Sequence, residues 1–307
     1  MRVKEALETY QFTISNLSEQ SQEWYMKKLR PFTEWCAQNG LELEDITAAH
    51  VKNFLDGLRT RINPRTKQPI TSDTLHGYAK VIKLFLKWCS QDEEFREYVK
   101  ARTHSLIPIP KVDKKTIETF TPEQIKALFV ACSKEIYPRL VSRDRAILSV
   151  LLDTGVRASE LCGLTIGNVH LDPNDSYILV MGKGRKEREI GLGTQARTAL
   201  HRYIRQHRKY AKPDEVVFQS RSFEQLNING LDQILYRLRD WAKLGDVAAG
   251  AHKFRHTFAV NYLLNGGDVY KLSRLMGHTS VSTTERYVRS MKQREARKGM
   301  SVLDNLK

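Results

Sequence analysis

The chain has 307 residues, enough for two hydrophobic cores, and its 41% hydrophobic and 28% charged residues are ordinary for a protein that folds in water. No apolar run approaches the roughly 20 residues of a membrane span, and the opening MRVKEALETY lacks a secretory apolar region, so the expected location is cytoplasmic. The net charge of +15 predicts a polyanionic partner whose counterions Lys and Arg displace, and its scatter along the whole chain argues against a membrane surface.

Cys36, Cys89, Cys132 and Cys162 are far apart and form no CxxC pair, which predicts buried thiols and no zinc or redox work. The first hundred residues read as helices. Trp24, Leu29, Phe32, Trp35 and Cys36 recur at helical spacing, Pro31 predicts a kink or an earlier break, and Asn39-Gly40 ends the segment. A shorter helix is expected over 47–58, then the polar loop RINPRTKQPITS at 61–72. Ser72 or Asp73 is the expected cap of a helix to Cys89, with Leu75, Ala79, Ile82, Phe85, Leu86 and Cys89 on one stripe. Lys80, Lys83 and Lys87 fall on the opposite face, a pattern that suits a solvated face about as well as one turned to phosphates.

The stretch THSLIPIPKVDKKTIET, 103–119, has prolines, charges and no periodicity. It marks a linker, set at 106–120, between a helical unit of residues 1–105 and a second unit of 121–290, with a tail of 291–307. Thr121-Pro122-Glu123 is a helix start, and RDRAILSVLLD places another helix over 142–153. YILVMGKGRKEREIGL, 177–192, breaks the helical run with two strands about a Gly-Lys-Gly turn. Helices are expected again over 194–210 and 229–243, across AHKFRHTFA at 251–259, and over 280–288.

Four stretches of the second unit gather cations beside proton-moving groups. In DTGVRASEL, Arg157 follows a Gly turn and Glu160 lies in the next helix; taken alone such an arginine reads as an ion-pair residue. In MGKGRKER, Lys183 sits between glycines at a hairpin tip, where an exposed turn lysine is the plain reading; the GxxxxGK[ST] phosphate loop is absent. In AHKFRHTFA, His252 and His256 have the spacing of a helical zinc pair, yet Lys253 stands where a metalloprotease carries Glu, and Arg255 would repel a dication. In MGHTSVSTTERYVR, His278 lies in a Gly turn with Thr279 or Ser280 as helix cap, and Tyr287 follows nine residues later. A single helical tyrosine usually packs. Together, two arginines, a lysine and histidines around a phenol make a kit for metal-free phosphoryl transfer: charge clamp, general acid and base, nucleophile.

The order Arg, hairpin Lys, H-x-x-R-H, G-H, Tyr resembles the tyrosine recombinase (phage integrase-like) family across nearly the whole chain. TGVRASELCGL resembles its first arginine box, MGKGRKER its lysine hairpin, HKFRHTFA its central box and MGHTSVSTTERYV its closing box, with Phe254 and Met276 where leucine is common. The resemblance implies a mainly α fold with a small antiparallel β-sheet in the catalytic domain, and a C-shaped two-domain DNA clamp with a helical SAM-like core-binding domain. It implies Tyr287 as nucleophile forming a 3′-phosphotyrosine, Arg157, Arg255 and His278 on the phosphate oxygens, Lys183 as acid and His252 assisting proton removal. Glu160 and His256 would position these groups, and Lys27, Lys28, Lys80, Lys83, Lys87, Arg185 and Lys186 would contact DNA. The partners implied are double-stranded DNA with specific recombination sites and three further copies of the chain, a homotetramer joining two duplexes through a Holliday junction, with room for accessory proteins and no membrane. No cofactor or metal is implied; the apolar Met291, Met300, Val302, Leu303 and Leu306 of the tail lead to the expectation that it docks on a neighbouring protomer. The alternatives are a type IB topoisomerase-like nicking-closing enzyme, a catalytically silent DNA-binding regulator of the same fold, and a metal-dependent nuclease, which the lack of a carboxylate cluster disfavours.

Overall fold

The computed structural model describes residues 2–62, 68–100, 102–112, 117–182, 187–278 and 280–290. The chain divides into two compact units, Met1–Lys115 and Thr116–Lys307. Among the described residues no helix is long and apolar enough to cross a membrane.

The first unit contains α1 (Arg2–Thr13), α2 (Glu19–Gln38), α3 (Ala48–Arg59), α4 (Ser72–Cys89) and the single turn α5 (Thr103–Leu106). Leu29, Phe32 and Cys36 of α2 interlock with Ile82, Phe85, Leu86 and Cys89 of α4, all fully buried. That anchoring explains α2's passage through Pro31 without a break: Leu29 and Phe32, on either side of the proline, are fixed in one core, which offsets the missing backbone donor. Gly40, with φ +62°, then ends the segment as the sequence predicts. The cap of α4 is Thr71, one residue before the expected Ser72 or Asp73; its hydroxyl accepts from the Thr74 N–H at 3.3 Å. Trp24 is no core residue. It is 42% exposed and carries the Lys28 ammonium 4.0 Å above its ring.

The second unit runs α6 (Pro122–Cys132), α7 (Pro138–Thr154), α8 (Ala158–Cys162), β1 (Val169–Leu171), β2 (Ser176–Met181), β3 (Glu187–Gly191), α9 (Thr194–His207), α10 (Ile228–Trp241), α11 (Ala251–Leu264), α12 (Val269–Leu275) and α13 (Val281–Ser290). The helix start expected at Thr121 is present, and Gln124 closes it into a capping box. The central helix is α7, buried all round from Ala146 to Leu151 and packed on α9 and α11. It starts at Pro138, a turn before the sequence suggested. The sheet is antiparallel in the order β1-β2-β3, with Ile178 opposite Ile190 and Val180 opposite Arg188. Neither β1 nor α12 was anticipated: three and seven residues are too short to show a period.

Candidate active site

The α7–α8 corner sets the first side chain. Gly155 closes α7 with φ +59°, and a Cβ there would lie 2.3 Å from the Phe258 ring, so glycine is required. The chain re-enters a helix two residues later with Arg157 at the N-cap position, and the Glu160 carboxylate accepts the Arg157 backbone N–H at 2.8 Å. An acid in the first turn also suits the positive end of the helix. Glu160 is buried between two guanidiniums: Arg157 Nη1 donates at 2.7 Å, and Arg188 of β3 donates twice, at 2.9 and 2.8 Å. Burial by itself raises the Glu160 pKa, but the hydrogen bonds and charges of Arg188 and Arg157 outweigh it and hold the carboxyl at about 2.

A second arginine comes from α11. Arg255 is 4% exposed and donates to the Gly155 carbonyl, the Met276 carbonyl and, at 3.1 Å, to His278 Nε2. Burial, with Arg157 adding repulsion, lowers its pKa to about 10, so it stays a cation at neutral pH. Three successive carbonyls at the carboxyl end of α12 thereby accept from three different arginines. Leu275 O takes Arg188 Nε at 2.8 Å, Met276 O takes Arg255, and Gly277 O takes Arg157 Nη2 at 2.8 Å. The last carbonyls of a helix lack partners within it and carry its negative end, so this is where guanidiniums settle without an anion.

The remaining groups follow from that clasp. A guanidinium only donates, so His278 Nε2 accepts; its Nδ1 then carries the proton and donates to the fully buried Thr284 hydroxyl at 2.7 Å. Tyr287 is 2% exposed, and its hydroxyl lies 3.0 Å from His256 Nδ1. Burial depresses both histidines to about 4, assisted for His256 by Arg286, His252 and Arg255 and for His278 by Arg255 and Arg157. Both are neutral at pH 7. Burial raises the Tyr287 phenol, and Arg255, Arg286 and Arg157 pull it back in part.

Six of the sequence candidates therefore converge: Arg157, Glu160, Arg255, His256, His278 and Tyr287. The histidine bonded to the phenol is His256; His252, one turn earlier, is exposed with its ring 6.4 Å from that of His256. Lys183, Arg185 and Lys186 lie outside the described residues, as do Thr279 and the tail 291–307. In the first unit Lys27, Lys80 and Lys87 are exposed, Lys83 is half-buried, and Lys28 lies on Trp24. Sequence reasoning missed Arg188 and Thr284. Arg188 had a legible signal, since in EREIG it shares the inward face of Ile190, and a charge on an apolar face needs a partner.

Residues 118–294 match the phage integrase family. The chain belongs to this family. It is a tyrosine recombinase, like its curated relatives: it is 30% identical to tyrosine recombinase XerD of Pseudomonas aeruginosa, over 88% of this chain and 87% of that one. Tyrosine recombinase XerC of Anoxybacillus flavithermus is 28% identical over 89% and 87%. The fold of this recombinase is similar to that of the XerH site-specific recombinase bound to palindromic difH substrate, with a TM-score of 0.75 at 20% identity over 97% of this chain and 84% of that one. A lambda integrase (75-356) dimer bound to a COC' core site is similar at TM-score 0.70 and 17% identity, over 94% and 95%.

Proposed function

We propose that the chain recombines specific sites in double-stranded DNA by cleaving and rejoining strands through a 3′-phosphotyrosine on Tyr287, without metal or ATP. Four copies would hold two duplexes and exchange strands through a Holliday junction. The observation that carries this reading is a buried phenol placed among Arg157, Arg255, His256 and His278.

The chemistry is a transesterification. The Tyr287 oxygen attacks the phosphorus, the bond from phosphorus to the 5′-oxygen breaks, and the phenolic proton passes to His256 Nδ1. Lys183 would return a proton to the departing 5′-oxygen. Arg157 and Arg255 exchange the Gly277 and Met276 carbonyls for the non-bridging oxygens, where charge gathers as the transfer proceeds. That exchange releases His278 Nε2; once Nδ1 gives its proton to solvent and Nε2 takes one up, the Thr284 hydroxyl turns to donate to Nδ1 and His278 donates to the phosphate. Because the phosphodiester energy is kept in the phosphotyrosine, a new 5′-hydroxyl reverses the reaction without ATP. Tyr287 is 2% exposed before DNA arrives, so α13 must shift for attack, and until then the phenol is kept from water.

His256 rather than His252 is assigned as proton acceptor because it alone is bonded to the phenol among the described residues. General bases contribute about 10²–10⁴-fold, so His256→Gln should slow single-turnover cleavage about 100-fold at pH 7. The residual rate should climb with pH as solvent hydroxide takes over. The wild-type rate should not fall between pH 7 and 5 on account of this group, because its folded pKa is about 4. Equal rates and profiles for the two proteins would remove His256 from the proton path.

The test of the whole reading is selection of bound sites from random duplexes, followed by incubation of two copies of the selected site with the protein. Junctions and exchanged products are expected. Relaxation of supercoiled DNA without such sites, and no junctions, would instead indicate a nicking-closing enzyme.

A further inference from the structure

Among the described residues Arg188 is the arginine of the cluster whose three nitrogens all donate inside the protein. Nη1 and Nη2 meet the two oxygens of Glu160, and Nε meets the Leu275 carbonyl. It is 13% exposed, and a Cβ on Gly277 would approach its guanidinium carbon to 3.1 Å. Its bonds run to a carboxylate and a carbonyl of the protein itself. Its backbone is locked in β3 opposite Val180 of β2. One rigid, planar group thus reaches three parts of the site: strand β3, the Glu160 that grips Arg157, and the α12 carboxyl end that receives Arg157 and Arg255.

We propose that Arg188 is a positioning residue for cleavage, holding Glu160 as an anion so that Glu160 fixes Arg157, and tying strand β3 to the α12 carbonyl turn. The inference rests on the recombinase reading of the site. Glu160 is faced by Arg157 from the start of α8, Arg188 from β3 and, through the field, Arg255 from α11. Its carboxyl sits at about 2 against burial that would raise it, and the hydrogen bonds of Arg188 are foremost among the groups that lower it. Without Arg188 the burial persists and the chief compensation is gone, so the carboxyl titrates at higher pH. Protonated, Glu160 no longer holds the Arg157 guanidinium by charge, and the clamp loosens. The sign is fixed: activity is lost as pH falls through the raised pKa.

The full-length protein is assayed for covalent adduct in single turnover, on a nicked duplex carrying the selected site, from pH 5 to 8. Wild type forming an adduct that Tyr287→Phe lacks establishes the underlying reading independently of Arg188. Arg188→Gln is expected to cleave at least about tenfold slower at pH 7 and to fall further as pH drops, an acidic limb that wild type lacks. Adding Glu160→Gln should abolish that limb, since no carboxyl remains to titrate. If Arg188→Gln does not fold, Arg188→Lys carries the test, with the same limb displaced less because a point charge replaces the fork. A folded variant with the wild-type rate, or a uniform loss with no acidic limb, overturns the proposal. A limb that persists after Glu160→Gln also overturns it, because the titrating group would then lie elsewhere.

Discussion

Tyr287→Phe is expected to eliminate covalent protein–DNA adducts while leaving affinity for the site nearly unchanged. The substitution removes one oxygen and no charge, and affinity for a phosphate backbone follows from the cations. The phenylalanine ring fills the same buried place beside His278, whose ring lies 6.5 Å from that of Tyr287 and nearly parallel to it. The loss in the protein itself is the hydrogen bond to His256, for which about 1 kcal/mol is the general scale. Adduct capture on a nicked duplex and a binding titration in the same buffer give the two readouts. Adducts at the wild-type level would show that another side chain attacks. Affinity collapsing along with cleavage would show that the phenol organises the DNA-binding surface.

What the sequence reveals of this site depends on where a residue's partners sit along the chain. Arg157 and Glu160 are three residues apart, and a helix start with an acid in its first turn is a local pattern, so their pairing was legible. The one-turn spacing in HKFRHTFA likewise placed His252 and His256 along one side of a helix. Which of them meets the phenol depends on how α13 packs on α11, 31 residues further on for His256, and no periodicity encodes that. Sequence reasoning chose the histidine that is exposed. The clasp of carbonyls at Leu275, Met276 and Gly277 was invisible for a related reason. It uses backbone atoms of a seven-residue helix, and its donors come from positions 157, 188 and 255. Glycine was the one sequence trace of it: Gly155 and Gly277 both adopt positive φ, and both offer their carbonyls to arginines.

The same clasp makes Arg255 the arginine whose removal is expected to cost most. It is 4% exposed, while the Arg157 side chain is 34% exposed, so its charge is screened least and its donors are most fixed. Arg255→Ala should lower single-turnover cleavage by about 10²–10³ or more, the scale for losing a preorganised donor to developing charge. It should also destabilise the free protein by about 1–3 kcal/mol, because the Gly155 and Met276 carbonyls lose their buried donor. Arg255→Lys separates the two effects. An ammonium keeps the charge but cannot span both carbonyls in a plane, so stability should recover more than cleavage does. Thermal unfolding and adduct formation measured on the same preparations decide the matter. If the alanine variant cleaved within about tenfold of wild type, phosphate charge would have to be met elsewhere in the site. If the lysine variant restored full cleavage, Arg255 would act through its charge alone, and the carbonyl-bound geometry would be a feature of the resting protein without consequence for the reaction.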